Sequence, residues 1–60
     1  MILIKYLKSA VQKKYPNAFA IQGFTWMIYD RKIPPITQIG RGITEYRAWQ
    51  DAYYRMKETK

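Results

Sequence analysis

The chain has 60 residues, a formal net charge of +7, and neither cysteine nor histidine. That length fits one small domain spanning 1–60, and the composition excludes a disulfide framework, a zinc cluster and any chemistry resting on a thiol or an imidazole. So short a chain buries only ~60% of the surface its unfolded form exposes; its two tryptophans, two phenylalanines, six tyrosines and aliphatic residues must therefore carry the core, with a partner or a homo-oligomer as a further source of burial.

Residues 2–15 have helical periodicity. Leu3, Leu7, Ala10 and Val11 fall on one stripe, with Lys5, Lys8, Gln12 and Lys13 on the opposite side. Pro16 and Asn17 end the segment. It holds four lysines and no acid, which makes it either a phosphate-facing surface or an ordinary solvated face. The stripe is needed for the core, which argues against a membrane-surface role. Lys5 and Lys8 also break the opening MILIKYLK, so it is no secretory signal. No run approaches the ~20 apolar residues of a membrane span. A soluble, cytoplasmic protein without membrane association is the expectation.

Strand signals follow. "AFAI" and "FTWMIY" are rich in aromatic and β-branched residues, with Gln22-Gly23 as the tight turn between them. In the second, Phe24, Trp26 and Ile28 share one face, and Thr25, Met27 and Tyr29 the other. Both faces are largely apolar; helices can cover one, and the other stays open to bind something. "DRKIPP" is a polar loop, because Pro34 and Pro35 cannot donate to a ladder. A third strand is predicted over 36–40, "ITQIG". A second helix follows over 45–57, with Ala48, Trp49, Ala52, Tyr53 and Met56 on one stripe and Tyr46 at its edge. Arg47, Gln50, Asp51 and Tyr54 point away from that stripe.

The joint between the last two elements, "IGRGITEYRAWQDA", carries the most chemistry. Gly40 and Gly42 tolerate backbone angles that other residues resist. Thr44 suits a helix N-cap. The exposed amides of that helix end attract anions, and Arg41 and Arg47 add positive charge. Against this, Glu45 places the chain's own anion in the first turn. The glycine spacing is neither that of a P-loop nor that of a dinucleotide fingerprint. Local chemistry favours a strand-to-helix joint over a phosphate cradle.

The order helix-strand-strand-strand-helix resembles the double-stranded RNA-binding domain. Gly40, Gly42, Thr44, Ala48 and Ala52 match the glycines, the hydroxyl residue and two alanines of that family's pattern close to G-x-G-x-S-K-K-x-A-K-x-x-A-A. The resemblance implies an α+β fold, with two helices packed on one face of a three-stranded antiparallel sheet. The apolar stripes predict a core of Leu3, Leu7, Val11, Trp26 or Met27, Ala48, Ala52 and Met56. The resemblance also implies a nucleic acid, double-stranded RNA in particular, as partner. Three departures bear on that activity. The paired lysines that reach phosphates in the family fall on Glu45 and Tyr46, and a later lysine falls on Trp49. The loop that enters the minor groove shrinks to about Gln22-Gly23. Duplex RNA is read by contacts spread over two grooves, so these losses support the fold more than the activity.

Four scattered acids, Asp30, Glu45, Asp51 and Glu58, and a single serine form no catalytic or metal spacing. The expectation is a non-enzymatic binding protein with no catalytic residue, no metal and no cofactor. The basic balance favours a polyanion. Lys5, Lys8, Lys13, Arg31, Lys32, Arg41 and Arg47 are the candidate nucleic-acid contacts, expected to act electrostatically on RNA or DNA backbone with little sequence preference. The other reading is a protein-interaction module, such as a small phage or mobile-element protein that docks on a host macromolecule. Tyr6, Glu45 and Tyr54 are its interface candidates.

Overall fold

In the computed structural model, which describes residues 2–58, Ile4, Leu7 and Val11 set the inner side of the first helix, α1 (Ile4–Lys14). Their spacing of three and four residues is what aligns them on one face. Leu3 is not part of that face. It is the N-cap, with extended backbone angles (φ −71, ψ 147), and it stands 52% exposed outside the predicted core. Because the helix begins at Ile4, two residues later than predicted, Ile4 takes the inward place. The Tyr15 amide donates to the Val11 carbonyl at 2.9 Å, and the side-chain amide of Gln12 donates to the Ala18 carbonyl at 3.1 Å. The chain is thus turned over Pro16-Asn17 and fixed at the start of the sheet.

The sheet is antiparallel, in the order β1 (Phe19–Gln22), β2 (Trp26–Tyr29), β3 (Gln38–Gly42). The hairpin between β1 and β2 has a three-residue loop, Gly23 to Thr25, rather than the predicted Gln22-Gly23 turn. Gln22 is still paired with Trp26, and the Gly23 amide donates to the Thr25 carbonyl at 3.0 Å. Phe24 therefore sits at the tip, fully exposed, and not on a strand face. The third strand lies two residues later than the predicted 36–40. Asp30 and Thr37 close the loop ahead of it. The Asp30 amide donates to the Thr37 carbonyl at 3.1 Å, and the Thr37 amide donates to Asp30 Oδ1 at 2.9 Å. Pairing with β2 begins only at Gln38.

Ile39 is an extra residue in β3. Tyr29 pairs with Gln38 and Ile28 with Gly40, so the ladder steps over it. This bulge turns Ile39 toward the helices, where it packs on the core. Ile28, fully buried, is the central sheet residue of that core. Trp26 is half-buried beside it. Met27, the other predicted alternative, lies on the opposite face by alternation.

The second helix, α2 (Glu45–Glu58), buries Ala48, Trp49 and Ala52 over β3 and against α1. Both helices thus pack on one face of the sheet. The Tyr46 hydroxyl donates to the Ile2 carbonyl, Lys8 lies against Trp49, and Tyr15 shares a cleft with Ala52 and Met56. The helices therefore run side by side in the same direction. Met56 ends half-buried in that cleft rather than in the core. Complete burial of Trp49, Ile28 and Val11 contributes about 1.5–3 kcal/mol for each aliphatic side chain, and the indole adds a larger area still.

Gly40 and Gly42 are required for proximity, not for unusual angles. Neither has a positive φ. A Cβ on Gly40 would lie 2.6 Å from the Ala48 carbonyl oxygen and 2.7 Å from the Ala52 Cβ. One on Gly42 would lie 2.6 Å from the Ala48 nitrogen and 2.7 Å from the Arg47 Cβ. The glycines of β3 and the alanines of α2 are two halves of one close contact.

Candidate nucleic-acid interface

α2 starts where the sequence motif places it. The Thr44 hydroxyl accepts from the Arg47 amide at 3.1 Å, satisfying one of the free donors of the first turn. With that amide taken by the cap, the helix end has less to offer an anion. Glu45 does not face outward beside it. Its Oε2 accepts from the indole N–H of buried Trp49 at 3.2 Å, one helical turn on, so this carboxylate serves packing.

The arginines gather on the other side of α2. Arg41, at the end of β3, meets Arg47, Gln50, Asp51, Tyr54 and Arg55 around a shallow concavity of about 530 Å³, floored by Gly42 and Ile43. Asp51 organises it. Its Oδ2 accepts from the Arg41 backbone amide at 3.0 Å and pairs with the Arg55 guanidinium at 3.0 Å. Arg47 and Arg55 outnumber the one aspartate of this concavity, which Arg41 enters through its backbone amide. Both members of the Asp51–Arg55 pair are part-exposed, so the pair contributes little to stability. It orients Arg55.

Three of the sequence-derived residues, Arg41, Arg47 and Tyr54, are therefore brought together. The others lie elsewhere. Lys5, Lys8, Lys13 and Tyr6 are exposed on α1. The Lys5 ammonium sits 5.5 Å from the ring centre of Tyr6, and that of Lys8 sits 5.7 Å from Trp49. Arg31 and Lys32 line a second concavity of about 510 Å³ with Asn17, Phe19 and Ile33. Arg31 is paired there with Asp30 at 3.2 Å, and Lys32 rests 5.6 Å from the centre of the Phe19 ring. The Thr37 amide holds the Asp30 carboxyl below its ordinary value of 3.8, against the opposing cost of burial and with further help from the Arg31 charge.

Arg55 is the member of the cluster that sequence reasoning missed. The signal was present: Arg47, Asp51 and Arg55 stand four residues apart, on one side of a helix. Among the described residues, no group of three or more acidic, histidine or cysteine side chains could hold a metal ion. No helix among them is long and apolar enough to cross a membrane.

The element order and layering have the general shape of the double-stranded RNA-binding domain. Compared with known proteins, the chain matches no family model, no curated protein and no solved structure.

Proposed function

We propose that this protein is a non-enzymatic nucleic-acid-binding module that grips the sugar–phosphate backbone at the junction of β3 and α2. The observation that supports this reading is that Arg47 and Arg55 line one open concavity beside Tyr54, with Arg41 at its edge, joined to it through its backbone amide. Arginine forks match phosphate oxygens in pairs. Asp51 pre-orients one of them, which reduces the ordering cost of binding. The groove-spanning mode of the resembling family is not used. Glu45 and Tyr46 stand where its paired lysines would be, and both are committed to packing, on Trp49 and on Ile2.

Salt-dependent titration of labelled RNA and DNA duplexes tests the proposal. Three phosphate contacts give a slope of log K against log salt of about −2.7 on B-DNA, at ~0.9 per contact. Arg47→Ala should reduce the slope by ~1 and weaken binding alike on unrelated sequences. Absence of binding at low salt refutes it.

A protein-interaction role is the second reading. It is favoured by Phe24 at the hairpin tip and Ile43 in the β3–α2 joint. Both are strongly exposed, and the Gln22–Trp26–Gly42 row places them at the same end of the sheet. A pull-down repeated after nuclease treatment separates the two. Partners retained after treatment favour this second role.

A further inference from the structure

We infer that the sheet face turned away from the helices is a stacking platform for unpaired bases, so that the preferred ligand is single-stranded nucleic acid or a duplex with a single-stranded extension. The inference rests on the nucleic-acid reading above and adds a second surface to it. Strand register defines the face. Ile28, Gly40 and Gly42 point to the helices. The alternate positions make two rows on the outer side, Phe19–Tyr29–Gln38 and Ile21–Met27–Arg41.

Aromatic geometry suits the role. The rings of Phe19 and Tyr29 lie 5.9 Å apart between centres and are tilted by 34°. The Tyr29 hydroxyl donates to Met27 Sδ at 3.5 Å, so the side chain leans along the strand toward Met27. The second row begins two residues along, about 6.8 Å away at ~3.4 Å per strand residue. That separation lets one base rest on the ring pair and its neighbour on Ile21 and Met27.

Charge complementarity selects this occupant. Lys32 stands over Phe19 at one corner, and Arg41 closes the opposite one. Arg41 also lines the arginine concavity, so a strand leaving the platform passes directly to it. No acid opposes the strand. Asp30 is tied to Thr37 and Arg31, Glu45 to Trp49, and Asp51 to Arg41 and Arg55, while Glu58 is at the end of α2. A second copy laid on the same face would set Lys32 and Arg41 against cations of a molecule that also carries +7. Cations beside aromatic rings are the general means of holding single strands without sequence preference.

The test uses the intact chain with a fluorescent oligothymidine or oligouridine strand and a blunt RNA duplex as probes. Tyr29→Ala should weaken single-strand binding by about 5- to 150-fold, while Tyr29→Phe, which keeps the ring, should retain it. Tyr29 is half-buried, so Ile21→Glu, at a site already 42% exposed, is the variant that leaves the fold intact. It should weaken single-strand binding at least fivefold and change blunt-duplex binding less than twofold. If Arg47→Ala weakens both probes while Ile21→Glu and Tyr29→Ala weaken neither, the platform is overturned and the backbone site stands. If neither probe binds wild type at low salt, both readings fail together. If Ile21→Glu converts a dimer to a monomer in light scattering without altering strand affinity, the face is an interface between copies and the inference is overturned.

Discussion

Replacing Gly40 by alanine adds one methyl group where α2 and β3 touch. The new Cβ would sit 2.6 Å from the Ala48 carbonyl oxygen, 2.7 Å from the Ala52 Cβ and 2.8 Å from the Ala52 nitrogen. Two of the three are helix backbone, and the third is a methyl with no rotamer to change. Relief therefore requires moving α2 off the sheet, and Trp49 moves with it. Overpacking of this kind costs about 1–3 kcal/mol, toward the upper end where the neighbours cannot yield. Alanine also loses less chain entropy on folding than glycine, a gain of about 0.4–1 kcal/mol where φ is compatible, as it is here. The net loss is about 1–2.5 kcal/mol, from a total of roughly 3–9 kcal/mol for a domain this size. At ~4–8 °C per kcal/mol, Tm should fall by roughly 4–20 °C. Gly23→Ala is the matched control. Its new methyl would meet only the mobile end of Met27 at 3.3 Å and the Thr25 carbonyl at 3.8 Å, so Tm should stay level or rise. Thermal melts followed by circular dichroism compare the two. If Gly40→Ala melts no lower than Gly23→Ala, the close-contact account of this motif is wrong. Adding Ala52→Gly to Gly40→Ala should recover only part of the loss, because the Ala48 oxygen and Ala52 nitrogen remain in place.

Thr44→Ala removes the acceptor for the Arg47 amide and should cost about 1 kcal/mol in urea unfolding, while Thr44→Gly should cost only a few tenths relative to wild type. Glu45→Lys strips buried Trp49 of its acceptor, at about 1–3 kcal/mol, and sets a cation at the positive end of α2, at a further ~0.3–1 kcal/mol. It should nevertheless strengthen binding to an RNA duplex. Glu45→Gln, which can still accept from the indole, should be far milder in the same melts, and equal destabilisation by both would contradict the packing role of Glu45. Acid should destabilise the fold through Asp30. Its carboxyl is depressed in the folded state, so its contribution is complete above pH about 3.8 and is lost as pH falls through the lower folded value. Asp30→Asn should flatten that part of the stability profile between pH 5 and pH 2, as read from melts across the range.

Much of this architecture is local and was legible. The Thr44 cap, the Ala48–Trp49–Ala52 stripe and the Leu7–Val11 stripe depend on residues within one or two turns of each other. Phe24 and Ile36 show where local reading fails. Each has strand character, yet pairing of the residues on either side of it decides that each lies in a loop: Gln22 with Trp26 in the first case, Asp30 with Thr37 in the second. Leu3 belongs to the right stripe but lies one residue outside the helix that would aim it inward. The glycines were recognisable as a motif, but their reason was not, because it lies in the distance to a helix five to twelve positions away. Two of the three arginines, Arg47 and Arg55, stand at helical spacing along α2. Completion of the cluster by Arg41 depends on a strand-to-helix approach that no window of sequence contains.

The bond from the Arg41 amide to Asp51 also governs how copies of the chain can join. β3 is an outer strand, and a strand of another molecule could extend the sheet only by claiming outward donors such as this one. Asp51 claims it first, and the bulge at Ile39 breaks the regular spacing a newcomer would need. Endless strand-to-strand growth requires two receptive borders, each copy offering one and accepting at the other. With that donor taken and the bulge in place, β3 is the less receptive border, and two copies meeting β1 to β1 would close on a twofold axis. Pairing of that kind ends with two copies, whereas growth through both borders would not.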